Sequence, residues 1–294
     1  MKEKYHLTEW QEKYIVDHYY DMTSKQIAEA IGCNKSKVTN TWAKHGLSGK
    51  MHRKYPIVNE NMFSKIDNPT SAYYLGLIAS DGCIHIHKDN GCKIIKLSLQ
   101  KTDEDILHRF AKDLGTQRKV TYQGGKYANF EITSPQIFDD LVRLGLNERK
   151  TYKNTVPYID TSLMKYFIRG YFDGDGSITS HFDQSKKVNI GISGYENNLL
   201  KIKEYLDGIN IFSSFTIDNR KYGDGNGRFG NLQISNVISR YCFCKHIYEN
   251  DDYPAMKRKK DTCNRYVQLI ENNIDINKYK MATIYYKYAV QKVS

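Results

Sequence analysis

One segment of this chain occurs twice, and that duplication restricts the fold more than any other feature. Tyr74–Ile84 reads YLGLIASDGCI, and 94 residues later Ile168–Ile178 reads IRGYFDGDGSI. The same succession of patterns follows each copy. Strand-like alternating runs come at Cys83–His87 and Ser177–Phe182, turns at Lys88–Gly91 and Asp183–Lys186, and second alternating runs at Lys93–Gln100 and Lys187–Ser193. Helical patterns follow at Asp103–Leu114 and Glu196–Leu206, each stopped at a glycine, Gly115 or Gly208. Two more strands are expected per half, Arg118–Gln123 with Tyr127–Thr133 and Ser214–Asn219 with Asn231–Ser235. Each half then closes on a helix, Gln136–Leu144 or Ile238–Tyr248. The expected fold is α+β: two pseudo-symmetric αββαββα halves with antiparallel sheets. Two copies at this period make a pair, not a solenoid.

The repeated segment carries its own packing and charge arguments. Read as a helix, each copy sets two small residues four apart, Gly76 with Ser80 and Gly170 with Gly174. Such residues share a face, and glycine inside a helix costs about 1 kcal/mol against alanine. A close contact should offset that cost, and the natural partner is the other copy. Each helix ends in Asp-Gly, at Asp81-Gly82 and Asp175-Gly176, with the glycine expected as a C-terminal stop. An aspartate there faces the negative end of the helix dipole, and packing the two helices brings two carboxylates together. A shared divalent cation relieves both costs, and oxygen ligands favour Mg²⁺ (or Mn²⁺) over zinc. Such a centre suits phosphodiester hydrolysis.

These two segments resemble the signature helices of the LAGLIDADG homing endonucleases. The first copy agrees at Gly76, Leu77, Ile78, Asp81 and Gly82 and departs at Ala79, where the signature has aspartate. The second agrees at Gly170, Asp173, Asp175 and Gly176, with Arg169, Tyr171 and Phe172 at apolar positions. The resemblance, over about residues 70–262, implies a saddle of antiparallel sheets on double-stranded DNA with the signature helices at the interface of the halves. It implies that Asp81 and Asp175 bind the catalytic metal; Gly82 and Gly176 are grouped with them in the metal set. Asp173 has no acidic counterpart in the first copy and is expected to be a cap or interface residue. The resemblance further implies polar or basic sheet residues near the cleaved phosphates. Candidates are Ser98, Gln100 and Lys101 in the first half and Ser193 in the second. Lys150 and Lys260 end the halves at similar places and are candidates for the same role. Outward strand positions are expected to touch DNA: His85, His87, Lys93, Lys96 and Lys126, then Thr179, His181, Arg220, Lys221 and Arg228.

Residues 1–50 read as three short helices in helix-turn-helix order. Thr8 caps the first, whose Trp10, Tyr14, Ile15 and Tyr19 share a face. The second follows Thr23 and stops at Gly32, and the third runs from Asn34 or Ser36 to Lys44. The third would present Lys35, Ser36, Lys37, Thr39, Asn40 and Lys44 to DNA. The expected organisation is this domain, a linker at 51–68, halves at 69–155 and 156–263, and a basic tail at 264–294. The formal charge of +11 divides as +4 over 1–55, +6 over 254–294 and +1 between them, so the basic excess lies in the flanks. It suggests an acidic partner such as nucleic acid.

The remaining composition narrows the class. No apolar run reaches the length of a membrane span, and the N-terminus lacks an apolar signal core, so a cytoplasmic protein is expected. The six cysteines show no C-x₂-C pair and are expected to be reduced thiols. The ends lack the residues of an intein junction, so the expectation is a free-standing or intron-encoded enzyme acting as a monomer. Two other readings stay open on the same fold. One is a DNA-binding regulator that does not cleave; the other is a splicing maturase that binds intron RNA. The two retained aspartates favour cleavage.

Overall fold

The computed structural model describes residues 7–19, 22–45, 47, 56–88, 91–148, 159–181, 187–218, 228–248 and 252–273. The chain divides into two compact units, Met1–Pro56 and Ile57–Ser294.

The first unit holds α1 (Glu9–Asp17), α2 (Ser24–Ile31) and α3 (Lys35–Lys44). Thr8 and Thr23 each accept from the amide three residues on, and Gln11 and Gln26 return the bond to the capping residue, giving two capping boxes. Gly32 ends α2 in the left-handed region at φ +67°, and Asn34 caps α3. Ile15, Tyr19, Ile27, Ile31, Val38 and Trp42 form the core. The Trp42 indole donates to the Ile15 carbonyl at 3.0 Å and the Gln11 amide to that of Ile31 at 2.9 Å. Trp10, expected to share a face with Tyr14, Ile15 and Tyr19, is 61% exposed. It sits in the first turn, and its ring rests on Tyr14 at 5.4 Å.

The second unit is α+β. Its first half runs α4 (Pro69–Asp81), β1 (Gly82–Ile86), β2 (Lys93–Gln100), α5 (Glu104–Asp113), β3 (Thr121–Gln123), β4 (Tyr127–Thr133) and α6 (Pro135–Arg143). Its second half runs α7 (Thr161–Asp175), β5 (Gly176–His181), β6 (Lys187–Tyr195), α8 (Glu196–Gly208), β7 (Ser213–Asp218), β8 (Phe229–Ile234) and α9 (Val237–Ile247), followed by α10 (Lys257–Asn273). Each half has a four-stranded antiparallel sheet, in the orders β1-β2-β4-β3 and β5-β6-β8-β7. Gly82 pairs with Leu97 and Gly176 with Ile192, so the registers correspond position by position. Ile84, Ile95, Leu97, Leu99, Phe130 and Ile132 fill the inner face of the first sheet; Val188, Ile190, Ile192, Leu232 and Ile234 fill that of the second. These side chains join α4 and α7 in one core.

Three expectations change. Part of the expected linker is built into the body. Ile57, Met62 and Phe63 are buried, and the amides of Val58 and Asn59 both donate to the Leu114 carbonyl. The expected tail starts as a helix: α10 buries Cys263, Tyr266 and Ile270 against the core. All three share a helical face, and that apolar stripe outweighs the basic composition. Gly82 and Gly176 are not left-handed stops, with φ −70° and −81° in extended backbone. The chain passes from helix directly into strand, folding back over the last helical turn. A Cβ on Gly82 would lie 2.6 Å from the Ile78 carbonyl oxygen, and one on Gly176 2.1 Å from the Phe172 ring.

Among the described residues, no helix is long and apolar enough to cross a membrane. All six cysteines are free thiols.

Candidate active site

The two repeated helices cross at their glycines. A Cβ on Gly76 would stand 2.1 Å from the Phe167 carbonyl oxygen, and one on Gly170 2.0 Å from that of Tyr73. Only bare backbone fits at either place. Further along, a Cβ on Gly174 would meet Ser80 Oγ at 1.9 Å and Asp81 Oδ2 at 3.2 Å. The contacts of residues 73–77 with 167–171, and of 80–81 with 174, mean that the helices run in the same direction. Their C-termini therefore meet, with Asp81 lying against the turn that carries Asp175. Both aspartates are half-buried.

A buried cation already occupies one of these helix ends. The Lys259 ammonium, from α10, donates to the carbonyls of Phe172 and Gly176 at 2.6 Å and of Asp173 at 2.7 Å. It thus satisfies carbonyls that a helix terminus leaves without partners and faces the negative end of the α7 dipole. Burial lowers its pKa to about 8, opposed by the carboxylates of Asp173 and Asp81. The Gly176 carbonyl, grouped with the expected metal set, accepts one of these bonds from the ammonium. Lys259 was missed beside Lys260, which is half-buried one residue on. Spacing was the available signal: Lys259, Cys263, Tyr266 and Ile270 lie on one helical face. Lys150, its expected counterpart, lies outside the described residues.

Asp173 lies at the interface of the halves and is fully buried. Its carboxylate accepts from Tyr73 of the first half at 2.8 Å, from the Met256 amide at 2.7 Å and from Tyr248. Burial raises its pKa to about 6 against the pull of these donors and Lys259. Arg169, unexpected in a signature helix, is also fully buried and donates to the carbonyl of Ile247 at the end of α9.

The open sheet faces hold only some of the candidates. Lys96, Ser98 and Gln100 share the open face of β2, and His85 and Thr179 lie on those of β1 and β5. Ser98 donates to Asn129 Oδ1 at 2.6 Å, and Ser193 to Asn231 Oδ1 at 2.7 Å. Gln100, Lys101 and Lys126 line an open pocket of about 610 Å³ with Glu104 and Tyr127. His87 is exposed just past β1. Lys93 has the parity of Ile95 and Leu97 and pairs with Asp139 of α6, so it belongs to the inner side. Arg228 pairs with Glu196 at 3.0 Å. The His181 side chain, Arg220 and Lys221 lie outside the described residues. In the first unit, Lys35, Ser36, Thr39 and Asn40 are exposed on α3 and Lys37 is half-buried. Lys44 pairs with Glu12 of α1 at 3.1 Å.

The donor set passes a chemical test for a hard cation. Asp81 and Asp175 end two helices whose C-termini meet, and Mg²⁺ is commonly held by one or two carboxylates together with substrate phosphates. Among the described residues no cluster of three or more His, Cys, Asp or Glu has the geometry of a metal site. Two aspartates would leave the remaining ligand positions of such a cation to substrate and water.

Residues 162–248 match the family model described as LAGLIDADG-like domain. Over 206 residues the chain is 22% identical to the NrdEB alpha subunit of ribonucleoside-diphosphate reductase from Bacillus subtilis strain 168, and equally to that of Bacillus phage SPbeta. The match covers 61% of this chain and 18% of those proteins, so the chain spans less than a fifth of the length of these curated relatives. Among solved structures, the meganuclease I-SmaMI bound to uncleaveable DNA is similar at 13% identity and a TM-score of 0.49, over 76% of this chain and 96% of that one. The LAGLIDADG homing endonuclease I-GzeII in complex with its DNA target is similar at 10% identity and a TM-score of 0.48, over 75% and 98%.

Proposed function

We propose that this chain, a member of the LAGLIDADG homing endonuclease family, is a site-specific double-strand DNA endonuclease that hydrolyses one phosphodiester in each strand. One observation carries the reading. Two parallel helices, held in contact through Gly76 and Gly170, bring the Asp81 carboxylate of one half against Gly174, the residue before Asp175 of the other. Paired carboxylates at the negative ends of two helix dipoles are costly unless a cation joins them.

Asp81 and Asp175 would hold the divalent metal, Mg²⁺ or Mn²⁺, and when bound it supplies Lewis-acid activation and charge stabilisation at the phosphate. The chain's own groups do the rest. The glycine contacts fix the spacing of the carboxylates. Lys259 satisfies the end of α7 and balances part of the local negative charge. In the reaction a water oxygen bonds to phosphorus, one ester P–O bond breaks, the departing oxygen takes up a proton, and the water's proton passes to solvent.

The open sheet faces, with Lys96, Gln100, Lys101, Lys126, His85 and Thr179, are proposed to lie on the duplex. The helix-turn-helix is proposed to add contacts through Lys35, Ser36, Lys37, Thr39 and Asn40. Both halves lie in one chain, so a monomer supplies both carboxylates. The test is cleavage of a plasmid bearing the target in Mg²⁺, with Asp81→Asn and Asp175→Asn as controls. Target binding without cleavage by wild type in any divalent metal would favour the regulator.

A further inference from the structure

The first half carries a thiol and an imidazole where the second carries two hydroxyls. Cys83 and His85 stand on the open face of β1, on either side of Ile84, which is buried in the core. By register their counterparts on β5 are Ser177 and Thr179. Cys83 is exposed and His85 half-buried. Same-face neighbours on a strand are about 6.6 Å apart along the chain. Here the two side chains converge, with Cys83 Sγ 3.9 Å from His85 Nδ1. Among the described residues neither side chain has another polar partner.

That separation is close to the bite of a chelating pair. A sulfur at about 2.3 Å and a nitrogen at about 2.0–2.1 Å from one tetrahedral Zn²⁺ stand about 3.6 Å apart. The pair is within about 0.3 Å of that spacing, and a small side-chain rotation closes the gap. Thiolate and imidazole are ligands for Zn²⁺, whereas Mg²⁺ takes oxygen. The pair therefore does not compete for the metal assigned to the aspartates. Two protein ligands leave the remaining positions to water, as in an open and exchangeable site, not a closed structural one.

We propose that Cys83 and His85 form a soft-metal site that takes Zn²⁺, and that the hydrated ion bound there obstructs the approach of the duplex to the first half. On binding, Zn²⁺ replaces the thiol proton, which passes to solvent; His85 gives its Nδ1 lone pair, and nothing is oxidised or reduced. The ion and its waters would stand out from a face proposed above to lie on DNA, two residues along the chain from Asp81. The second half, with Ser177 and Thr179, has no such site at the corresponding place. The site itself stands on its own geometry; its effect on cleavage rests on the nuclease reading above.

The test begins with the reduced full chain, without DNA. Co²⁺ is titrated in as a stand-in for Zn²⁺ that reports sulfur ligation by absorbance. Wild type should show a thiolate-to-metal charge-transfer band that added Zn²⁺ erases. Cys83→Ser should lose the band, and His85→Gln should weaken binding about tenfold or more. Cys33→Ser, which removes the half-buried thiol of the first unit, should leave the band unchanged. The second arm is cleavage of a plasmid bearing the target in Mg²⁺, with Zn²⁺ added in steps. Cys83→Ser should cut like wild type in Mg²⁺ alone and should need about tenfold more Zn²⁺ to be slowed equally. Absence of the band, or a band that survives Cys83→Ser or His85→Gln undiminished, would overturn the site. Equal Zn²⁺ sensitivity of wild type and Cys83→Ser would overturn the obstruction. If wild type cuts no target, the nuclease reading falls, and the cobalt titration still decides the site.

Discussion

The Tyr73 hydroxyl donates to Asp173 Oδ2 at 2.8 Å, joining the two halves through a fully buried bond between their signature helices. Asp173 also accepts from Tyr248 and the Met256 amide. Asp173→Ala would leave three buried donors unpaired and should cost about 3–5 kcal/mol in urea unfolding. Asp173→Asn keeps an acceptor for Tyr73 and Met256, and the Tyr248 hydroxyl can turn to accept from the new NH₂. It should cost less than half as much.

The same carboxyl makes stability depend on pH in a set direction. Burial raises its pKa from 3.8 to about 6. Between those values the folded state holds a proton that the unfolded chain has released, so this group's contribution falls as pH rises from about 4 to 6. Asp173→Asn has no such proton. Urea titrations across that range should show wild type losing stability relative to the variant; a difference independent of pH would contradict the assignment.

Glycine at the helix crossing is required by space. Gly76→Ala and Gly170→Ala would each place a methyl about 2 Å from a backbone carbonyl oxygen of the facing helix. Each should destabilise by about 3 kcal/mol or more, since backbone must shift. Gly208→Ala is the control. Nothing lies within 4 Å of its Cβ position at the end of α8, and its thermal midpoint should stay within a few degrees of wild type or rise.

Lys259→Met should be more damaging than Lys260→Met. It removes the donor to three carbonyls at the end of α7, a loss of about 2–4 kcal/mol. Thermal unfolding of the two variants side by side decides this, and equal midpoints would refute the capping role.

Some of this was legible in the sequence, and the reasons are physical. β2 and β4 coincide with their expected spans because period-two alternation is sharp there. The small residues at Gly76, Ser80, Gly170 and Gly174 announced a close helix contact because glycine in a helix needs a compensating neighbour. Asp173 was expected to be a cap or interface residue because its counterpart in the first copy is not acidic. Lys259 and α10 were not read. Composition marked that segment as basic, while its structure follows from a stripe of Cys263, Tyr266 and Ile270. The packing of Ile57, Met62 and Phe63 also escaped notice, since three apolar residues around a 3₁₀ turn have no period to detect. Lys93 was expected on the outward face, yet it shares the parity of Ile95 and Leu97, and its pairing with Asp139 is a tertiary contact that no local pattern shows.

The helix-turn-helix unit should contribute binding more than chemistry. Removing residues 1–55, which carry +4, should weaken target binding and lower its salt slope. Single-turnover cleavage of bound DNA should change little. Loss of single-turnover cleavage with binding retained would reverse that division.

The central claim is that Asp81 and Asp175 each serve a metal-dependent cut. It is tested most directly by incubating a supercoiled target plasmid with wild type, Asp81→Asn and Asp175→Asn in Mg²⁺. Linear product from wild type, with loss of double-strand cleavage of about 10²-fold or more in each variant and target binding retained, is the predicted result. Undiminished linearisation by either variant would contradict the claim.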